Sequence, residues 1–319
     1  MAVSSATVSI PGATGPYCDL PTLLRLRAAA GSLRITPPSR ALSQLSGPLR
    51  SNVRGRGIEF EEVRSYEAGD DIRSIDWRVT ARTGRAHTKL FREERERPVY
   101  LLVDQRSTMF FGSRHTLKSV QAVHAGALLA WATLDGGDRI GGLVLGDHEH
   151  HEVRPRRNRH AVLALLRLCH DFNRRLGIPK AQTPAAHLDL AHALTGIRRV
   201  ARPGSLVMII SDFHGWDEAA VMQLHLLARH VEIAAINVFD PLERLLPAIG
   251  RTAVSNGYRR QELDTSDPRL QARYAARRQA EQEALSQAFR RLGAPFIQIG
   301  TDEPALDVLA RYYRKRKSS

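Results

Sequence analysis

Val99-Tyr-Leu-Leu-Val103, closed by Asp104, is an apolar run without a polar interruption. A strand with one wet face alternates apolar and polar residues, so a continuous run marks a strand covered on both faces, as in a parallel sheet under helices. The pattern recurs downstream. Arg139-Ile-Gly-Gly-Leu-Val-Leu145, then Ser205-Leu-Val-Met-Ile-Ile210 before Ser211-Asp212, then 231–239 and Pro295-Phe-Ile-Gln-Ile299 all read as strands. Between them, 116–134, 158–172, 188–200, 217–229 and 269–292 have helical length. In the second of these, Val162, Leu163, Leu165, Leu166 and Leu168 crowd onto one broad face. Repeated strand–helix alternation requires a mainly parallel sheet with helices on both faces, a doubly wound α/β fold over 98–319.

Upstream, the chain changes character. Residues 1–19 are expected to be a flexible N-terminus. Residues 20–97 are expected to form an N-terminal helix, stopped by Pro37-Pro38, and a small, charged, strand-rich subdomain. In that subdomain Ile58, Phe60, Val63 and Tyr66 fall in a strand-like pattern and Ala68-Gly69-Asp70 supplies a turn. Ile72, Ile75, Trp77 and Val79 are its further apolar anchors.

Composition narrows the function. The 319 residues are 43% apolar, enough for a real core. Cys18 and Cys169 are the only cysteines, which excludes a disulfide scaffold and a Cys-rich zinc module. The start lacks a secretory pattern. The most apolar stretch, 119–134, is shorter than the roughly 20 residues that span a bilayer and is interrupted by Gln121 and His124. A cytoplasmic protein without a transmembrane segment is expected. With 47 Lys plus Arg against 33 Asp plus Glu the net charge is +14, which attracts nucleic acid, anionic membranes or acidic proteins alike. The excess collects in Arg154-Pro-Arg-Arg-Asn-Arg159 and in the 311–317 tail. Aromatic content of 6% and the lack of a nucleic-acid motif make nucleic-acid binding the alternative reading rather than the leading one.

In open parallel sheets ligands bind beyond the carboxyl ends of the strands. Asp104 and Asp212 fall at two such ends, and Asp104-Gln-Arg-Ser-Thr-Met109 adds hydroxyl groups beside the first. Two carboxylates and hydroxyls from neighbouring loops suit Mg²⁺. This arrangement resembles the von Willebrand factor A fold and its metal-ion-dependent adhesion site. Further upstream stand Gly55-Arg-Gly-Ile-Glu-Phe60, Val63-Arg-Ser-Tyr66, Gly69-Asp-Asp-Ile-Arg-Ser-Ile-Asp-Trp77 and Ala81-Arg82. Together with Asp240-Pro-Leu-Glu243 and Leu246-Pro247 they resemble domain-of-unknown-function family fifty-eight, von Willebrand factor A-like proteins associated with MoxR-type AAA+ ATPases. The resemblance implies a sheet of von Willebrand factor A type, a MoxR-type ATPase as partner, an unidentified client protein, and metal ligands at Asp104, Thr108 and Asp212.

The chain departs from the usual Asp-x-Ser-x-Ser loop, because Arg106 stands at the first hydroxyl position. The expected third-ligand Thr has its counterpart near Leu188, with Thr183 the nearest threonine. A guanidinium has no lone pair to give a metal. Arg106 is instead expected to pair with Asp104 or Asp212 and take the cation's place, leaving a degenerate site without a cofactor; bound Mg²⁺ is the alternative. A loop crown of Asp104, Arg106, Ser107, Thr108, Asp212 and His214 is then the expected partner-binding surface.

The signature residues Arg64, Tyr66, Gly69, Asp70, Asp71, Arg73, Asp76, Trp77 and Arg82 are expected to be structural. Gly69 permits a turn, Trp77 enters the core, and Arg73 and Arg82 are buried partners of Asp70, Asp71 or Asp76. Asp147-His-Glu-His-His151 gathers possible zinc ligands without a convincing further His or Cys, and reads as a polar hairpin. No phosphate-binding loop is present, and Ser211-Asp212-Phe213-His214 lacks a Gly-x-Ser-x-Gly elbow. A non-catalytic interaction or adaptor module is expected, with a metal-dependent hydrolase using Asp104 and Asp212 as a further alternative.

Overall fold

A computed structural model describes residues 12–35, 58–67, 72, 75–93, 96–176, 188–255 and 260–313. Helix α1 (Leu20–Ala30) is followed by β1 (Ile58–Ser65), α2 (Trp77–Thr83) and β2 (His87–Glu93). The α/β alternation then begins with β3 (Pro98–Asp104), α3 (Lys118–Asp135), β4 (Arg139–Leu145), β5 (His150–Arg156) and α4 (Arg159–Arg175). It continues through α5 (Leu190–Val200), β6 (Leu206–Ser211), α6 (Glu218–Ala228) and β7 (Glu232–Phe239). A hairpin of β8 (Arg251–Ser255) and β9 (Arg260–Asp264) precedes α7 (Pro268–Arg291), β10 (Phe296–Gly300) and α8 (Ala305–Tyr313).

The continuous apolar runs are the central strands. Their order is β10-β7-β6-β3-β4-β5, parallel throughout except for the edge strand β5, which runs antiparallel to β4. Successive side chains alternate between two cores. Val99, Leu101 and Val103 of β3 join α1, α3, α4 and α8 on one face. Tyr100 and Leu102 join α5, α6 and α7 on the other. This is the doubly wound, mainly parallel α/β architecture that the sequence leads one to expect. Gly141 and Gly142 show why glycine is needed on β4. A Cβ at Gly142 would collide with the Leu101 carbonyl oxygen of β3, and one at Gly141 with the Val153 carbonyl oxygen of β5. None of the described helices is long and apolar enough to cross a membrane.

Two expectations about the N-terminal region are corrected. The described residues divide into two compact units, with 58–67, 72, 75–93 and 96 in one and the rest in the other. Helix α1 therefore belongs to the α/β unit, not to a 20–97 subdomain. Leu23, Leu26, Ala29 and Ala30 are buried on α3, and the Leu23 carbonyl accepts the Trp131 indole N–H at 3.2 Å. Residues 12–19 are not frayed either. Cys18 is buried and its backbone N–H donates to Asn173 Oδ1 at 2.8 Å, while Gly15 bridges Thr116. Residues 1–11 lie outside the described part.

In the smaller unit β1 and β2 pair antiparallel, with a register shift between Phe60 and Glu62. Between them, Trp77 and Val79, two of the expected apolar anchors of a strand-rich subdomain, lie on the helix α2. Asp76 caps it by accepting the N–H groups of Arg78 and Val79, and Gly84, in the left-handed region at φ 70°, ends it. Trp77 is the first helical residue and 68% exposed, so its expected place in the core is corrected: the cap aims it outward.

Candidate functional site

Strand β3 delivers Asp104 to the carboxyl end of the sheet, beside β6, where the strand order reverses. Asp104 is fully buried. Arg106, two residues on, folds back over it. Its Nε donates to Oδ1 at 3.0 Å and Oδ2 at 3.2 Å, its Nη2 to Oδ2 at 2.7 Å, and its backbone N–H to Oδ1 at 3.0 Å. Ser211 Oγ donates to the same Oδ2 at 2.7 Å. Burial would lower the Arg106 pKa, but the Asp104 charge and hydrogen bonds outweigh it and raise the value above that of a free guanidinium.

The second carboxylate has a cation of its own, one that sequence reasoning missed. Lys118 opens α3, is 2% exposed, and donates to Asp212 Oδ2 at 2.8 Å and to Glu243 Oε1 at 2.6 Å. Burial alone would raise the Asp212 pKa. The Lys118 ammonium, the His214 N–H on Oδ1 and the more distant Arg106 charge reverse this and hold it below the ordinary carboxylate value. Burial pulls Lys118 down, and Asp212 and Glu243 more than restore it. Glu243 is positioned by Asp240, which caps the short turn Pro241–Glu243 and gives its N–H to Glu243 Oε2 at 3.0 Å. Asp240 also receives Ser113 and Thr301, so the loops after β3, β7 and β10 meet on it.

Between the two pairs the backbone takes an unusual shape. Phe213 has φ +55°, a region that costs a non-glycine residue free energy. Its ring is held among Trp216, Phe289 and Phe296. The turn points the His214 carbonyl at Arg106 Nη2, 3.1 Å away, and the His214 N–H at Asp212. His214 itself is exposed.

The structure brings Asp104, Arg106, Asp212 and the His214 backbone together. Ser107 is drawn aside, its N–H and Oγ both bound to Asp147 Oδ1. Thr108 Oγ1 is buried without a hydrogen-bond partner among the described residues. A magnesium site needs about six oxygens in near-octahedral array. Here both oxygens of Asp104 carry Arg106 and both of Asp212 carry N–H donors, which leaves Thr108 Oγ1 as the uncommitted oxygen of the implied ligand set. Those residues do not fit the metal. Thr183 lies outside the described residues.

Asp147-His-Glu-His-His151 is the turn between β4 and β5 and the beginning of β5. Among the described residues no three His, Cys, Asp or Glu converge as a metal cage. Of the signature residues, Arg64 pairs with Glu67 at 3.6 Å, Asp76 is the helix cap, Tyr66 follows β1 and donates its N–H to the Ala86 carbonyl, and Arg82 is exposed. Arg82 is therefore not the buried residue that was expected. Gly69, Asp70, Asp71 and Arg73 lie outside the described residues.

A family profile described as "Protein of unknown function DUF58" matches residues 62–284. The uncharacterized protein Rv1480 of Mycobacterium tuberculosis is 30% identical over 298 residues, 92% of this chain and 90% of that protein. Among solved structures the chain is similar to an aerotolerance-related membrane protein of Bacteroides fragilis, with 13% identity, TM-score 0.43, and coverage of 67% of this chain and 96% of that one. It is also similar to the conserved hypothetical protein BatB of Bacteroides thetaiotaomicron, with 15% identity, TM-score 0.34, and coverage of 61% and 98%.

Proposed function

The chain belongs to the DUF58 family of proteins of unknown function, and from that membership we propose that it is a non-catalytic interaction module, an adaptor between a MoxR-type AAA+ ATPase and a client protein in protein maturation or complex assembly. The ATPase as partner rests on the family resemblance. One observation carries the physical part: the two carboxylates at the switch point are neutralised by the chain's own Arg106 and Lys118. The cation is thus built in, the loops that hold Asp104, Asp212 and Glu243 are locked together without a metal, and the crown is preorganised for contact. This is a degenerate adhesion site. Among the described residues no activated nucleophile accompanies it, which supports the non-catalytic reading.

Co-purification with the cognate ATPase, in each nucleotide state, tests the reading. Wild-type protein is expected to retain the ATPase and Arg106→Ala to lose it; no association in any nucleotide state would overturn the adaptor role. Titration with Mg²⁺ by calorimetry tests the built-in cation separately. No heat above dilution is expected, and saturable binding that disappears in Asp104→Ala would sink the degenerate-site reading.

A further inference from the structure

Away from the crown, the opposite edge of the sheet from β5 carries a groove of about 710 Å³. Its floor is Phe296 and Gln298 of β10. One wall is the face of α7 bearing Gln279, Gln282, Ser286 and Arg290, and the other is the end of α8 with Arg311 and Tyr312. Arg244 closes one end, its guanidinium carbon 3.5 Å from the Phe239 ring centroid and its Nη2 donating to Gln298 Oε1 at 3.0 Å.

Two independent features make this more than a dent. First, Arg244, Arg290 and Arg311 line the groove, and none has a described carboxylate within ion-pairing distance. Glu283 and Glu303 also line it, but each already accepts an internal N–H, from Gln279 Nε2 and from Gly300 respectively. The guanidinium donors therefore exceed what the groove's own carboxylates use. Arg244 and Tyr312 add stacking surface. Second, β10 is an edge among the described strands. Its Pro295 carbonyl and Thr301 N–H face β7, so by the alternation of a parallel ladder residues 297 and 299 also face β7, and the N–H and C=O of Phe296 and Gln298 face outward. An unpaired edge is a template for another strand.

We infer that this groove takes an extended acidic peptide segment of a partner protein, added as a strand beside β10, with its carboxylates on Arg244, Arg290 and Arg311. Strand addition supplies affinity through main-chain hydrogen bonds, and the arginines set the preference for acidic side chains. The surface is separate from Arg106 and Lys118, so this inference and the adaptor reading succeed or fail independently.

The test uses the full chain and a fluorescent alternating Glu-Val peptide, with an alternating Lys-Val peptide and single-stranded oligothymidylate as comparison probes. Anisotropy is expected to rise with the acidic peptide alone. Arg290→Glu with Arg311→Glu, both on exposed helix faces, is expected to weaken it about tenfold or more, since two exposed ion pairs become repulsive. Arg154→Glu with Arg156→Glu on the β5 edge is expected to leave it unchanged. Hydrogen exchange should show the Phe296 and Gln298 amides protected by the peptide. Equal loss in both double variants, tighter binding of the oligonucleotide, or binding without protection of those amides would each overturn the inference.

Discussion

The crown at the carboxyl end of the sheet and the small β1–α2–β2 unit carry similar mixtures of Arg, Asp and aromatic residues, yet the fold treats them in opposite ways. In the crown Asp104, Arg106 and Lys118 are buried, and each charge faces its opposite within 2.6–3.0 Å. In the small unit Trp77 and Arg82 are exposed, and Asp76 Oδ1 accepts two helix N–H groups. Charges that stand close in sequence thus say little about their role until burial is known. A buried pair cannot lose one member cheaply, because the survivor is left desolvated and unbalanced. A surface residue can be lost at almost no cost to stability, and is free to meet a partner.

Lys118→Ala should show the largest effect. It strands the carboxylates of Asp212 and Glu243 together and is expected to cost about 3–5 kcal/mol, read as a lowered denaturant midpoint with an unchanged slope. Its pH dependence sharpens the point. Asp212 is held below its ordinary 3.8 and Lys118 above its ordinary 10.5. The pair's stabilisation is therefore complete between those values, lost in acid as pH falls through the depressed Asp212 value, and lost in alkali as pH rises through the raised Lys118 value. In Lys118→Met the alkaline limb should vanish, and mild acidification should stabilise rather than destabilise, because protonation relieves an unpaired buried Asp212. An unchanged acid limb in that variant would show that Lys118 is not the partner that matters.

Arg106→Ala comes next, at about 3 kcal/mol by the same loss of a buried partner. The Ser211 hydroxyl and the residue-106 backbone N–H remain on Asp104 and soften the effect. A cost below about 1 kcal/mol, the scale of an exposed pair, would mean that the crown is held like a surface after all.

This contrast also explains what the sequence could and could not disclose. The runs at 99–103 and 206–210 are apolar without a break because both faces are covered, so their strand character and the parallel sheet are legible in composition alone. Asp104 and Asp212 follow from strand ends, and Arg106 from its place in the Asp104 loop. Lys118 was not legible. It begins an otherwise apolar helix, 94 residues from Asp212 in sequence, and nothing local distinguishes it from a solvated helix end. Nor was the helix at 77–83 legible, because Ile75, Trp77 and Val79 alternate as a strand does; the Asp76 cap and Gly84 stop decided otherwise. The grouping of α1 with the large unit depends on its contact with Trp131, another long-range fact.

Within the small unit, Asp76→Ala should be the costliest change among the described signature residues, because the side chain accepts two helix N–H groups. Loss of an N-cap costs about 1 kcal/mol. Asp76→Ser is expected to recover most of it, which an ion-pair role for Asp76 would not allow. Recovery failing in Asp76→Ser would bring the small unit closer to the crown in kind.

The smallest stability effect is expected for Trp77→Ala, and it is the sharpest division between the two regions. An indole at 68% exposure contributes little to packing, so the change should fall within about 0.5 kcal/mol of wild type by thermal or denaturant unfolding. Large aromatics are over-represented where partners dock, and an exposed tryptophan on a capped, seven-residue helix offers a surface of that kind. Trp77→Ala is therefore expected to preserve the fold while reducing capture of the ATPase in the same co-purification that tests the crown. A loss of several kcal/mol would mean that Trp77 is packed after all, and would place the small unit under the same rule of burial as Asp104 and Lys118.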